Sequence, residues 1–237
     1  MKYYQMKEIL SSITITVNDH IYLKDPESSP LGQRIILGSI DLLDEIGFES
    51  FTFKRLAELI NSTEASIYRY FESKHKLLLY LISWYWAWTD FRLLIGLANI
   101  NSPIERLERA VQLLTSPVQK DVSISHINEE KLNRIVISES SKSYLTKDVD
   151  EENKDGVFVN YKKLVQRVCD IIHEIDTKYK YPHMLISTVI EGSHHQRFFA
   201  DHLPRLTDIR KGEDAIVIFY TDMVFKSLGI RIKKNKK

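Results

Sequence analysis

The sequence predicts an all-α chain, a three-helix head with a helix-turn-helix pattern followed by a larger helical body. Three observations carry that reading. From Leu31 onward apolar residues recur at helical spacing. Helix caps and stops recur at the ends of those runs. Three short helices and then a long one fall within residues 31–98, the order of a helix-turn-helix head on a helical body. The 237 residues, 43% hydrophobic and 27% charged, suffice for a buried core in one or two domains.

Residues 1–29 stand apart, as an N-terminal arm or a short β-hairpin. Ile13 to Val17 and Ile21 to Leu23 alternate around the turn chemistry of Asn18-Asp19, but an isolated hairpin is marginal in water. Asp25 to Pro30 reads as a linker that caps the next helix. Ile35, Ile36, Ile40, Leu43 and Ile46 then make one helical face, stopped by Gly47. Thr52 suits the cap of a second helix with Phe53, Leu56, Ala57 and Ile60 facing inward. Asn61 suits a left-handed turn residue, and Thr63 caps a third helix whose inward pair is Ile67 and Phe71. The head is thus expected over 30–76 and the body over 77–237.

The body opens with a long helix whose seam is Leu77, Leu81, Trp84, Trp88, Phe91 and Ile95. Ser102-Pro-Ile-Glu105 is a capping box for a helix to Leu114. Residues 116–127 read as loop, Asn128 to about Tyr144 as helix, and Thr146 to Gly156 as an acidic loop. Helices over Phe158–Tyr179, Pro182–His202 and Glu213–Leu228 follow, the last stopped by Gly229. The apolar stretch Leu77 to Ile100 is broken by Asp90 and Arg92, which argues against a membrane span. No signal-peptide order is visible at the N-terminus, and Cys169 is the only cysteine, so a cytoplasmic location is expected.

Phe51-Thr-Phe-Lys-Arg-Leu-Ala57 followed by Ile67-Tyr-Arg-Tyr-Phe-Glu-Ser-Lys74 closely resembles the tetracycline-repressor (TetR) family of bacterial transcriptional regulators. The likeness covers about 31–81; the rest of the chain matches only in general plan. It departs from the family at Asn61-Ser62, where Gly-Val is usual, and at Glu64, where a basic or neutral residue is commoner. A recognition helix reads base edges from its first residues, so Thr63, Glu64, Ala65, Ser66 and Arg69 are the candidate base readers. Glutamate can accept from cytosine N4, and Ala65 suits a thymine methyl. The resemblance assigns Tyr68, Tyr70, Lys74 and Thr52 to phosphate contacts. The competing reading makes Tyr68 and Tyr70 half-buried residues of the head and Lys74 a solvated charge.

Charge gives this head little help. The net charge is +1, but Arg231, Lys233, Lys234, Lys236 and Lys237 crowd the end, leaving 28 basic against 32 acidic residues elsewhere. Residues 30–76 hold six cations and seven acids. A DNA reader usually shows a basic footprint, so tight non-specific binding is not expected.

In the resemblance the aromatic helix joins the head to an effector pocket. Trp84, Tyr85, Trp88, Phe91, Tyr161 and Phe198, with Phe199, could line one, although aromatic residues at helical spacing are more often plain core. The apolar faces Met184, Leu185, Thr188, Val189 and Ile216, Phe219, Tyr220, Met223, Leu228 suit either intrachain packing or the four-helix homodimer interface that the family uses. Glu191, His194, His195 and His202 lack metal-site spacing, so no metal or cofactor is expected, and no catalytic set is evident. The expectation is a dimeric regulator, a repressor in most of the family, on a palindromic double-stranded DNA operator and released by a small-molecule effector. The alternative is a small-molecule-binding helical module with a vestigial head.

Overall fold

The computed structural model describes residues 15–119, 127–209 and 212–230. Eleven α-helices occur among them, with no strand. They are α1 (Pro30–Ser50), α2 (Phe53–Leu59), α3 (Glu64–Tyr68), α4 (Lys74–Leu97), α5 (Pro103–Thr115), α6 (Glu129–Glu139), α7 (Ser141–Tyr144), α8 (Val149–Lys154), α9 (Val159–Ile175), α10 (Pro182–His202) and α11 (Ala215–Ser227). No described helix is long and apolar enough to cross a membrane. The chain divides into two compact units, one of residues 1–88 and 118–161, the other of 89–117 and 162–237. That division does not follow the boundary expected at residue 77, because the first unit takes in α6 to α8 as well as the head.

In the first unit the caps act as the sequence suggests. Thr52 Oγ1 accepts from the Arg55 N–H, Thr63 Oγ1 from Ser66, and Asn128 Oδ1 from Lys131. Gly47 breaks α1 with φ +71° and ψ 166°, so its last turn, 48–50, sets off at an angle. The apolar faces close over Ile35, Ile36, Leu56, Ile67, Phe71, Leu77 and Leu81, all essentially inaccessible. Burying side chains of this kind contributes about 1.5–3 kcal/mol each.

Several elements differ from expectation. Residues 15–29 form no strand; Asn18 Oδ1 accepts from the His20 N–H and closes a 3-10 turn over Asp19–Ile21. Ile13 and Thr14, which open the first arm of the expected hairpin, lie outside the described residues. Thr146 to Gly156 is not all loop, because α8 forms there and buries Glu152, whose Oε1 meets His75 Nε2 at 2.9 Å. That pairing partner is 77 residues distant, beyond the reach of local pattern. The expected helix to Tyr144 breaks at Ser140 into α6 and α7.

In the second unit Ser102 caps α5 with Pro103 at its first position. Asp214 caps α11 and also receives Arg197, which in addition donates to the Thr115 carbonyl. Asp90 is buried and paired with Arg167 and Lys163 from α9. Gly192 lets α11 approach α10, since a Cβ there would stand 2.4 Å from the Tyr220 hydroxyl.

Candidate nucleic-acid interface

The turn between α2 and α3 is built from Asn61. Its φ of +50° lies in the left-handed region, which asparagine tolerates better than most residues. The Ser62 N–H donates to the Ala57 carbonyl at 2.9 Å and Asn61 N–H to Glu58 at 3.4 Å, the paired bonds of a Schellman motif. Asn61 thus substitutes for the usual glycine without altering the hydrogen bonding of the turn.

Beyond the turn, α3 buries Ile67 and leaves its first residues in solvent. Thr63, Glu64, Ala65, Tyr68 and Arg69 are exposed and Ser66 is half-buried. Thr52 is exposed one helix earlier, and Phe53 beside it packs edge-on to Tyr68 at 4.9 Å. Thr52 and Thr63 accept cap bonds from backbone N–H groups; the Thr63 hydroxyl also shares a hydrogen bond with Ser66 Oγ at 2.8 Å. Of the nine expected residues these seven are exposed or half-buried, Lys74 is half-buried as well, and only Tyr70 is buried.

Tyr70 and Lys74 are placed otherwise. Tyr70 is 3% exposed, and its hydroxyl lies 2.7 Å from Ser29 Oγ. That bond outweighs burial and holds the phenol below its usual range. Lys74 turns its ammonium back onto the end of α1, donating to the carbonyls of Phe48 at 3.0 Å, Glu49 at 3.4 Å and Phe51 at 3.2 Å. The same Nζ lies 4.6 Å over the Phe48 ring. After the break at Gly47, Lys74 thus supplies a donor to the Glu49 and Phe51 carbonyls and a second one to the Phe48 carbonyl, which also accepts the Phe51 N–H at 3.3 Å. Glu139 completes the clamp by accepting the Phe48 N–H at 3.2 Å.

Lys54 and Arg55, exposed in the first turn of α2 beside Thr52, escaped the sequence reading. Their position directly after a helix cap was the available signal. The acidic balance of the head also finds an explanation. Asp41 pairs with Lys131, Asp44 with Arg134 through two parallel bonds, and Glu49 with Lys142. Three of the seven acids thus meet cations of α6 and α7.

The aromatic residues do not gather as one lining. In the first unit Trp84 stacks on Trp88, Tyr85 tilts against Trp88, and Trp86 lies between Tyr85 and Tyr161. All but Tyr161 are buried, so Trp84, Tyr85, Trp88 and Tyr161 are joined as packed core. Phe91 and Phe198 belong to the second unit, where Phe198 packs on His202 at 4.4 Å. That unit holds a cavity of about 400 Å³ edged by Gln196, Leu206, Asp208, Glu213, Ile216 and Phe219, none of them expected to line a pocket, although Ile216 and Phe219 were expected on an apolar face. Among the described residues no group of three or more His, Cys, Asp or Glu could hold a metal ion.

Residues 35–81 match the sequence model described as bacterial regulatory proteins, tetR family. No curated protein sequence matches the chain. Among solved structures, the fatty acid degradation regulator FadR from Bacillus halodurans is similar with a TM-score of 0.59 and 14% identity, over 86% of this chain and 98% of that one. The superantigen PfiT follows at 0.55 and 15%, over 86% and 97%. AibR in complex with isovaleryl coenzyme A and operator DNA gives 0.51 and 15%, over 82% and 96%. At such identities the likeness is one of fold.

Proposed function

Starting from a chain whose head, residues 35–81, is a tetR-family helix-turn-helix, and which is therefore a DNA-binding regulator, we propose that it acts as a dimeric repressor on a palindromic operator and is released by a small organic effector. One observation carries the reading: α3 offers its first residues to solvent from a turn whose hydrogen bonds are complete. Thr63, Glu64, Ala65, Ser66 and Arg69 are assigned to base edges. Thr52 and Tyr68, joined by Lys54 and Arg55, are assigned to phosphate.

Exposed apolar side chains of the second unit support the dimer. Met184 on α10 and Ile218 and Phe219 on α11 are each more than half exposed, as is Leu206 between them. Large apolar groups left in water at such density mark a contact surface. Two-fold pairing would set the recognition helices about 34–36 Å apart, one turn of DNA. AibR, which shares this fold, has been described with isovaleryl coenzyme A and operator DNA together, so the fold can carry both kinds of ligand. An effector acts only through different affinities for the DNA-bound and free conformations.

The test is a gel shift of the promoter DNA of the chain's own gene across a salt series, with and without candidate effectors. A sequence-dependent shift that a ligand abolishes is expected. Ligand binding measured calorimetrically, with no sequence-dependent shift at any salt, would replace this reading with that of a small-molecule-binding module.

A further inference from the structure

The segment preceding the helix-turn-helix is fastened across the exit of the recognition helix. Residues 15–29 lie outside the stretch that matches the family, yet Val17 and Ile21 are buried and Tyr22 meets Tyr80 of α4 edge-on at 6.0 Å. Asn18 Nδ2 donates to the Asp155 carbonyl at 3.0 Å, and Asn160 Nδ2 donates to that of Thr16 at 3.2 Å. Pro26 runs so close to the first turn of α1 that a Cβ on Gly32 would stand 2.2 Å from the Pro26 carbonyl oxygen. The obstructing atoms are backbone and cannot swing aside, so residue 32 has to be glycine for the strap to lie there.

What the strap holds is Tyr70, the residue just beyond the α3 cap, Arg69. The Tyr70 N–H is bound to Ile67 of α3 at 2.9 Å, while its carbonyl accepts the Leu23 N–H at 2.8 Å. Its hydroxyl meets Ser29, which itself caps α1, and Lys24 Nζ lies 5.0 Å over its ring. A five-residue helix has no stability of its own, so its orientation is set at its two ends. Asn61 sets the entry and Tyr70 the exit. The strap is itself unsuited to phosphate, because Asp25 and Glu27 outnumber Lys24 in it.

We propose that residues 22–29 form a positioning strap for the recognition helix, and that Tyr70 is a positioning residue through which the strap acts. The inference rests on the DNA-reading function proposed above. Leu23→Pro removes the strap's N–H donor, and Leu23 is 66% exposed, so its side chain leaves no cavity. Tyr22 before it is already extended, as a residue preceding proline must be. Tyr70→Phe keeps the buried ring and deletes only the hydroxyl.

Both variants are made in the full chain and compared with wild type in two measurements. The first is hydrogen exchange of amides 64–71 in the free protein. The second is affinity for a duplex that the wild type selects from a random-sequence pool, against a scrambled duplex of equal length. Each variant is expected to exchange faster over 64–71 and to bind the selected duplex about two- to tenfold more weakly, the value of one hydrogen bond. Affinity for the scrambled duplex should hold, since charge supplies it. Equal losses on both duplexes for Tyr70→Phe, with Leu23→Pro silent, would make Tyr70 a phosphate contact and overturn the inference. So would a lower melting temperature with an unchanged ratio between duplexes, which is what a merely structural role produces. A wild type that selects no duplex overturns the DNA-reading premise, whereas a discriminating wild type with two silent variants overturns the strap alone.

Discussion

Lys74 separates two accounts of the head most sharply. Lys74→Met keeps a side chain of similar reach over the Phe48 ring and removes the ammonium. Three carbonyls lose a donor: Phe48 and Phe51, both part-buried, and Glu49, at a longer 3.4 Å and exposed. Counting the two part-buried bonds at about 1 kcal/mol each, and giving the third and the ring contact little weight, the loss is about 2 kcal/mol. In a chain of this size that lowers the melting temperature by about 4–8 °C. All three tryptophans, Trp84, Trp86 and Trp88, fall in the same unit, so their fluorescence follows its unfolding directly. The salt dependence of DNA binding supplies the second measurement. Because the ammonium is spent on protein carbonyls, the slope of log affinity against log salt should not change. A phosphate contact at Lys74 predicts the reverse: an unchanged melting temperature and a slope shallower by about 0.9 for each head. That pair of results would refute the clamp.

Asn61→Val places a β-branched residue at φ +50° and should cost about 1–2 kcal/mol in urea unfolding, while Asn61→Gly should be neutral or stabilising. Burial, helped by repulsion from His195, pushes the His194 imidazole down to about 4 from 6.5. The folded chain therefore resists a proton that the unfolded chain accepts. Stability should be full above about pH 6.5 and fall by about 3 kcal/mol as the pH drops towards 4, and His194→Gln should flatten that part of the profile in calorimetry. Phe219→Glu, at a side chain 58% exposed, should leave the monomer folded and abolish the proposed dimer in sedimentation; an unchanged mass would discard that interface.

Local signals were legible because their physics is local. Asn61, Thr52, Thr63, Ser102 and Asn128 all act within a few residues of themselves, and each takes its expected place as turn or cap. Gly47 breaks α1 for the same reason. What escaped the sequence depends on partners far along the chain. Residues 146–156 read as an acidic loop because nothing local announces that His75 will meet Glu152. Lys74 and Tyr70 sit in register with a familiar motif, and only the position of the α1 terminus and of Ser29 reveals where their polar atoms go. The aromatic helix was ambiguous between core and pocket: Trp84 and Trp88 stack one turn apart, but the ring that covers Trp86, Tyr161, comes some 75 residues later. The cavity beside Phe219 had no local signature, since residues from two helices and the turn between them edge it.

The pairing of Asp41, Asp44 and Glu49 with Lys131, Arg134 and Lys142 bears on how this protein can be cut and recombined. A fragment ending near residue 76 would carry the whole of α3, the proposed reading helix, yet it would present three uncompensated carboxylates and a Phe48 amide stripped of Glu139. Its net charge would be negative in the presence of a polyanion. The smallest autonomous DNA-binding piece should therefore include 127–145, supplied in trans if not in cis. For the same reason, grafting a foreign head onto this body calls for transferring the acids along α1 together with the residues of α3 proposed to read DNA.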